Sequence, residues 1–152
     1  MEILSKEAFL NLDTKCEEVK EEDVKDLIPK CEEMIKLCVE KGGLGLAGPQ
    51  VGLMKKVFVW MNSDDTFQIV LNPSFYPDSK KTNVIEGCLS FPNENYYLKR
   101  YKEIQAVYFT HNGEKLIKVT KHLIGQKAFV FQHETDHMNM VSVADSGIKI
   151  ET

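Results

Sequence analysis

Ala128-Phe129-Val130-Phe131-Gln132-His133-Glu134-Thr135-Asp136-His137 carries an apolar run straight into an H-E-x-x-H pentapeptide. On a helix, positions i and i+4 lie on one face. His133 and His137 can there grip one metal ion, and Glu134 can handle protons for a water on that ion. Chemistry of that kind is metal-assisted hydrolysis. Two His and one Glu also meet by chance on surface helices, but the apolar residues from Ala128 to Phe131 argue against a solvated helix. A polar trio carried into a core must be paired or metal-bound. A third ligand has little room downstream. An extended H-E-x-x-H-x-x-G-x-x-H site needs Gly at 140 and His at 143, where the chain has Met140 and Val143. Glu151 is the only later Glu and lies in the tail. The third ligand is therefore expected upstream.

Working back from that helix, Glu103–Thr110 and Glu114–Thr120 read as a hairpin turning at Asn112-Gly113. Lys56–Met61 and Phe67–Leu71 read as strands joined through polar Asn62–Thr66, and Asn72-Pro73 opens an irregular section. Residues 24–41 show a helical stripe of Val24, Leu27, Ile28, Cys31, Met34, Ile35, Cys38 and Val39. Pro29 disturbs its early part, so the regular helix is expected from Asp26 or Leu27, and Gly42 and Gly43 stop it. The second helix is expected over 123–138. Short antiparallel strands around a central metal-binding helix, with an N-terminal helix, make an α+β fold. The length of 152 residues suits one domain, 1–152.

The formal net charge of −4 gives no reason to expect nucleic acid as a partner. No apolar run approaches the roughly 20 residues that span a membrane. The N-terminus lacks a basic segment followed by an apolar one, so a cytoplasmic protein is expected. Cys16, Cys31, Cys38 and Cys88 form no C-x-x-C pair, which removes a zinc ribbon or redox dithiol. Cys31 and Cys38 read as small buried hydrophobes. Cys88 is the one cysteine outside the N-terminal region, and a thiolate with two neutral imidazoles leaves a fourth tetrahedral position for water. Cys88 is the expected third ligand. His111 and His122, beside a turn and a helix start, read as solvated.

Gly43-Leu44-Gly45-Leu46-Ala47-Gly48-Pro49-Gln50 is a loop of small residues. It follows a helix and lacks a Gly-Lys-Ser/Thr ending, so a phosphate cradle is not indicated. Such a loop lets a peptide backbone approach, and the Gln50 amide is a donor of the kind that stabilises an oxyanion. A plain helix-to-strand turn with a surface Gln fits this motif equally well when it is taken alone. Lys99-Arg100-Tyr101-Lys102 reads as a solvated strand edge.

Taken together, these segments resemble peptide deformylase, a family marked by G-x-G-x-A-A-x-Q, E-G-C-L-S and Q-H-E-x-D-H in that order. Glu86–Ser90 and Gln132–His137 match in full, and the first motif departs only at Gly48, where the family has Ala. The likeness runs from about Leu12 to Asp145. It implies hydrolysis of the formyl group from N-formylmethionyl nascent chains, with Fe²⁺ in vivo and Zn²⁺, Ni²⁺ or Co²⁺ as replacements. Carried over, Cys88, His133 and His137 would hold the metal and Glu134 would shuttle the proton. Gln50 and the Leu89 backbone N–H would hold the oxyanion. Arg100 would pair with Asp136 behind the site, and Gly45 and Gly87 would line the substrate backbone. Leu44, Val84, Phe129 and Val130 would surround the methionine side chain.

Asn93 and Asn95 stand where some bacterial members have Glu and Arg, and Met140 where Gly is usual. Many members continue into a C-terminal helix used in ribosome docking, whereas this chain ends at Ile148–Thr152, like shortened phage-encoded forms. The expectation is a monomer with weak or no dedicated ribosome contact. A small zinc endopeptidase would use the same helix, but a Cys ligand speaks against it. A structural metal module would need neither Glu134 nor Gln50.

Overall fold

The computed structural model describes residues 1–62 and 65–151. Ser63 and Asp64, within the expected link between strands, and Thr152 lie outside the described residues. The elements in chain order are α1 (Lys6–Leu10), α2 (Glu21–Glu40), β1 (Gly45–Ala47), β2 (Val57–Met61), β3 (Phe67–Pro77) and β4 (Lys81–Cys88). There follow β5 (Phe91–Tyr101), β6 (Glu103–His111), β7 (Leu116–Ile124), α3 (Gln126–Met138), α4 (Val143–Ser146) and β8 (Ile148–Lys149). One antiparallel sheet has the order β1-β2-β3-β6-β7 and a smaller one β4-β5-β8. The fold is α+β.

The large sheet is covered on both faces, which explains why β2 is an unbroken apolar run. Val57 and Val59 pack toward α2 with Leu27, Met34 and Cys38. Phe58 and Trp60 point the other way, toward Ala128 and Phe131 of α3. Phe131 meets the rings of Phe58 and Trp60 at 5.3 and 5.6 Å. The small sheet has its own core of Phe91, Tyr96 and Leu98 with Phe9 and Val143. Helix α3 reaches both sheets. Gln132 clasps it to the end of β5, accepting from Tyr101 N at 2.9 Å and donating to Tyr101 O at 2.7 Å.

Several expectations need correction. Helix α2 begins at Glu21, well before Asp26. The Asp23 carboxylate accepts from Lys20 N at 2.8 Å and starts it. Pro29 is tolerated inside because it sits on the exposed face, where water can serve the carbonyl it leaves unbonded. Val39 is 59% exposed and leaves the buried stripe, which takes Leu37 instead. Residues 123 and 124 belong to β7, so α3 starts at Gln126. Asn72-Pro73 does not end β3. The strand passes through a register shift between Leu71 and Ser74, with Asn72 in the left-handed region at φ 49°. Its side chain bonds both Val19 N and Val19 O, at 2.8 and 2.9 Å. The hairpin β4–β5 was not expected at all.

Asn72→Ala removes two hydrogen bonds to backbone and the side chain best suited to that φ. It is expected to cost about 2–3 kcal/mol in urea unfolding. Unchanged stability would show that the Val19 clasp carries no weight.

Candidate metal and catalytic site

The hairpin places the third donor. Cys88 ends β4, faces Phe91 across the turn, and follows a register shift between Glu86 and Cys88. Such a bulge re-aims a side chain. The Cys88 Sγ lies 3.8 Å from His137 Nε2. The donor atoms of Cys88, His133 and His137 all lie within 4.8 Å of one another. Ligand bonds of about 2.0–2.3 Å in a tetrahedron set donors roughly 3.3–3.8 Å apart. The trio thus fits a divalent metal after a small contraction, and one thiol with two imidazoles suits a first-row transition ion.

A buried ion-pair network orients this trio. His133 Nδ1 meets Glu86 Oε1 at 2.8 Å, which turns Nε2 toward the other donors. Arg100 grips Glu86 with two nitrogens, at 2.7 and 2.8 Å, and Asp136 with one, at 2.7 Å. Burial alone would raise the Glu86 carboxyl, but the bonds from His133 and Arg100 outweigh it and bring it to about 2. Asp136 moves the other way. Burial dominates there because only one Arg100 nitrogen bonds it, so its carboxyl is raised. Glu86 is therefore the principal partner of the guanidinium. Burial lowers His133, yet the Cys88 thiol, Glu86 and Glu134 reverse that and raise the imidazole to about 10 when no metal competes. His137 is pushed well below the ordinary imidazole range, first by burial and then by the positive charges of His133 and Arg100. Its Nδ1 makes no well-formed hydrogen bond, although the Val141 carbonyl opposes this lowering. Phe9 packs edge-on to its ring at 5.3 Å.

Glu134 is 4% exposed, and its Oε1 is without a hydrogen bond. Burial raises its carboxyl to about 7, with the positive charge of His133 opposing. Gly45 makes room for it. A Cβ at Gly45 would stand 2.6 Å from Glu134 Oε2. Gln50 is buried and its amide has one settled orientation. Oε1 accepts from Ala47 N at 2.9 Å, and Nε2 donates to Ser90 Oγ at 2.9 Å while facing Cys88 Sγ at 3.4 Å. The alternative of a surface Gln at a plain turn does not hold. Gly48, the departure from the family motif, has its own cause: a Cβ there would lie 2.5 Å from the Leu53 carbonyl oxygen.

A cavity of about 970 Å³ opens on these groups. Leu44, Gly45, Val84, Gly87, Phe129 and Val130 all line it, together with Gln50, Cys88, Leu89, His133 and Glu134. His137 lies behind, 1% exposed. Arg100 and Asp136 pair as expected. Sequence reasoning missed Glu86 and Ser90 as site residues. The available signal was spacing, since Glu86 and Cys88 share one face if residues 81–88 form a strand. His122 is half-exposed beside Glu103 at 3.3 Å, while His111 is largely covered, 3.4 Å from Glu21. Both lie apart from the cavity residues.

Known proteins resemble the chain in sequence and in fold. A family model described as polypeptide deformylase matches residues 2–151. A peptide deformylase of Thermotoga sp. strain RQ2 is 40% identical over 115 residues, covering 75% of this chain and 68% of the relative. The crystal structure of peptide deformylase from Thermotoga maritima superposes with a TM-score of 0.83 at 33% identity, covering 95% of each chain. That of a probable peptide deformylase from synechococcus phage S-SSM7 gives a TM-score of 0.83 at 29% identity, covering 95% of this chain and 98% of that one. A family match from one end of the chain to the other joins these relatives and the Cys-His-His cluster in one conclusion: the chain belongs to the polypeptide deformylase family.

Proposed function

We propose that the chain hydrolyses the formyl group from the N-terminal formylmethionine of nascent polypeptides, releasing formate. The observation that carries this reading is the convergence of Cys88, His133 and His137 beside Glu134 and Gln50 at one cavity. Cys88, His133 and His137 would hold one divalent ion, which when bound would supply Lewis-acid polarisation of the formyl group and make a water molecule a stronger acid. We assign Fe²⁺ in vivo, with Zn²⁺, Ni²⁺ or Co²⁺ as replacements. Glu134 takes a proton from the attacking water as its oxygen bonds to the formyl carbon. It then passes that proton to the methionine nitrogen as the C–N bond breaks. A carboxyl raised to about 7 suits both halves of this transfer. Gln50 Nε2 and the Leu89 N–H stabilise the oxygen of the formyl group as negative charge develops on it.

The substrate is an extended chain. Strand β1 ends the large sheet and β4 ends the small one, and residues of both line the cavity. Each edge offers backbone groups to an added strand. A Cβ at Gly87 would meet only ordinary contacts, Asn95 Oδ1 at 3.5 Å being nearest. The fold itself does not require glycine there, and close approach of a substrate backbone does. The methionine side chain fits the apolar wall of Leu44, Val84, Phe129 and Val130. We place the reaction in the bacterial cytoplasm, with residues 1–152 acting as one domain and as a monomer on nascent peptides. No helix among the described residues is long and apolar enough to cross a membrane. A phage source rests on likeness to the phage relative.

Formate release from formyl-Met-Ala-Ser tests the reading, run beside an unformylated longer peptide. Hydrolysis of the first alone is expected, and internal cleavage of the second would favour an endopeptidase. Glu134→Gln should keep the metal and lose roughly 10²–10⁴ in kcat. Gly45→Ala, whose methyl displaces the Glu134 carboxylate, should lower kcat in the same direction. Near-native kcat in Glu134→Gln would overturn the proton assignment. Glu86→Gln removes the charged acceptor from His133 Nδ1. It should weaken metal affinity roughly 10–100-fold, read by competition with a chelator.

A further inference from the structure

Met140 sits in the left-handed region of backbone space, at φ 62°. Among the described residues, the other non-glycine positions with positive φ are Asp65, Asn72 and Asn93, all short polar types that visit this region readily. The turn at Met140 ends α3. Met140 N donates to His137 O at 3.1 Å, and Val141 N to Asp136 O at 2.9 Å. Backbone alone makes both bonds, and glycine or asparagine serves such a stop with less strain. The turn therefore gains nothing from a methionine side chain.

What Met140 borders is the back of the metal site. A cavity of about 100 Å³ touches His137, which does not line the large cavity. Phe9, Leu10, Leu12 and Met140 supply its apolar wall. Met140 is half-buried, so it stands between this cavity and solvent. Glu86 turns the ring of His133, whereas no side chain bonds Nδ1 of His137. Packing holds that second ring instead, with Phe9 edge-on at 5.3 Å and the His133 ring at 4.8 Å.

We infer that Met140 is a positioning residue for the metal: it closes the cavity behind His137, keeps water from that ligand and so slows release of the ion. The inference rests on the metal-binding part of the reading above. An imidazole that leaves the ion must find another partner, or be left buried and unbonded at a cost. The wall of Phe9, Leu10, Leu12 and Met140 offers it none. Without the Met140 side chain the cavity opens to solvent, and water meets the departing nitrogen. The strain at residue 140 is thereby tied to the lifetime of the bound metal.

The test is the rate at which the Zn²⁺-loaded chain yields its ion to a chromophoric chelator. The native chain is compared with Met140→Gly, Met140→Leu and Asn72→Ala, and urea unfolding of each is measured alongside. Met140→Gly removes cover and strain together. It is expected to release Zn²⁺ roughly 10–100-fold faster, the size of loss that follows removal of a group supporting a metal ligand. Met140→Leu restores an apolar cover of similar volume and should stay within about threefold of the native rate. Asn72 lines neither cavity, so Asn72→Ala should lower stability and leave the rate unchanged. Release from Asn72→Ala as fast as from Met140→Gly would assign Met140 to stability alone and overturn the inference. A native rate in Met140→Gly, or a Met140→Leu rate equal to that of Met140→Gly, would overturn it as well. One bound ion with equal rates removes this inference alone, whereas a native chain that binds no Zn²⁺ removes the metal reading with it.

Discussion

A single buried guanidinium joins the parts of the site. Arg100 enters from β5, Glu86 from β4, and Asp136 and His133 from α3. Arg100 is 5% exposed. A charge in that position is costly unless its partners are in place, and removing it would strand two carboxylates in the interior. The network therefore resists any shift of the hairpin against the helix. That shift is the movement that would separate Cys88 from the two histidines. The carboxylate that answers Arg100 most strongly, Glu86, is also the one that orients His133.

Around this anchor, small residues decide what can come close. Strand β1 brings its backbone against Glu134 only because Gly45 lacks a side chain. Gln50 follows on a short turn, Gly48–Val51, and both ends of its amide are engaged. The Glu134 carboxyl is thus enclosed by a glycine on one side and helix α3 on the other. Its burial raises its proton affinity without any special partner.

Much of this was legible in the sequence, because periodicity and local motif coincide in α2, α3, β2 and the β6–β7 hairpin. The cluster of Cys88, His133 and His137 was legible too, since Cys88 is the one cysteine outside the N-terminal region and the histidines stand at i and i+4. The β4–β5 hairpin was not. Its strands carry Asn83, Asn93, Asn95 and Pro92, which speak for loop. Its inward positions include Glu86 and Arg100, so the alternation of Tyr96, Leu98 and Arg100 does not read as apolar against polar. Only the pairing of those charges, which is a tertiary fact, makes them interior residues. In the same way Pro29 and Asn72-Pro73 read as breaks. The structure absorbs the first on an exposed helical face and the second in a bulge. Sequence signals for termination mark a local cost, and packing decides whether the element pays it.

The central claim is that one cysteine and two imidazoles from separate elements bind one ion. X-ray absorption at the metal edge of the loaded protein tests it most directly. The account predicts one sulfur scatterer at about 2.3 Å and two imidazole nitrogens at about 2.0–2.1 Å. The sulfur shell should vanish in Cys88→Ser while the imidazole signal persists. A native spectrum without sulfur, or one unchanged by that substitution, would contradict it.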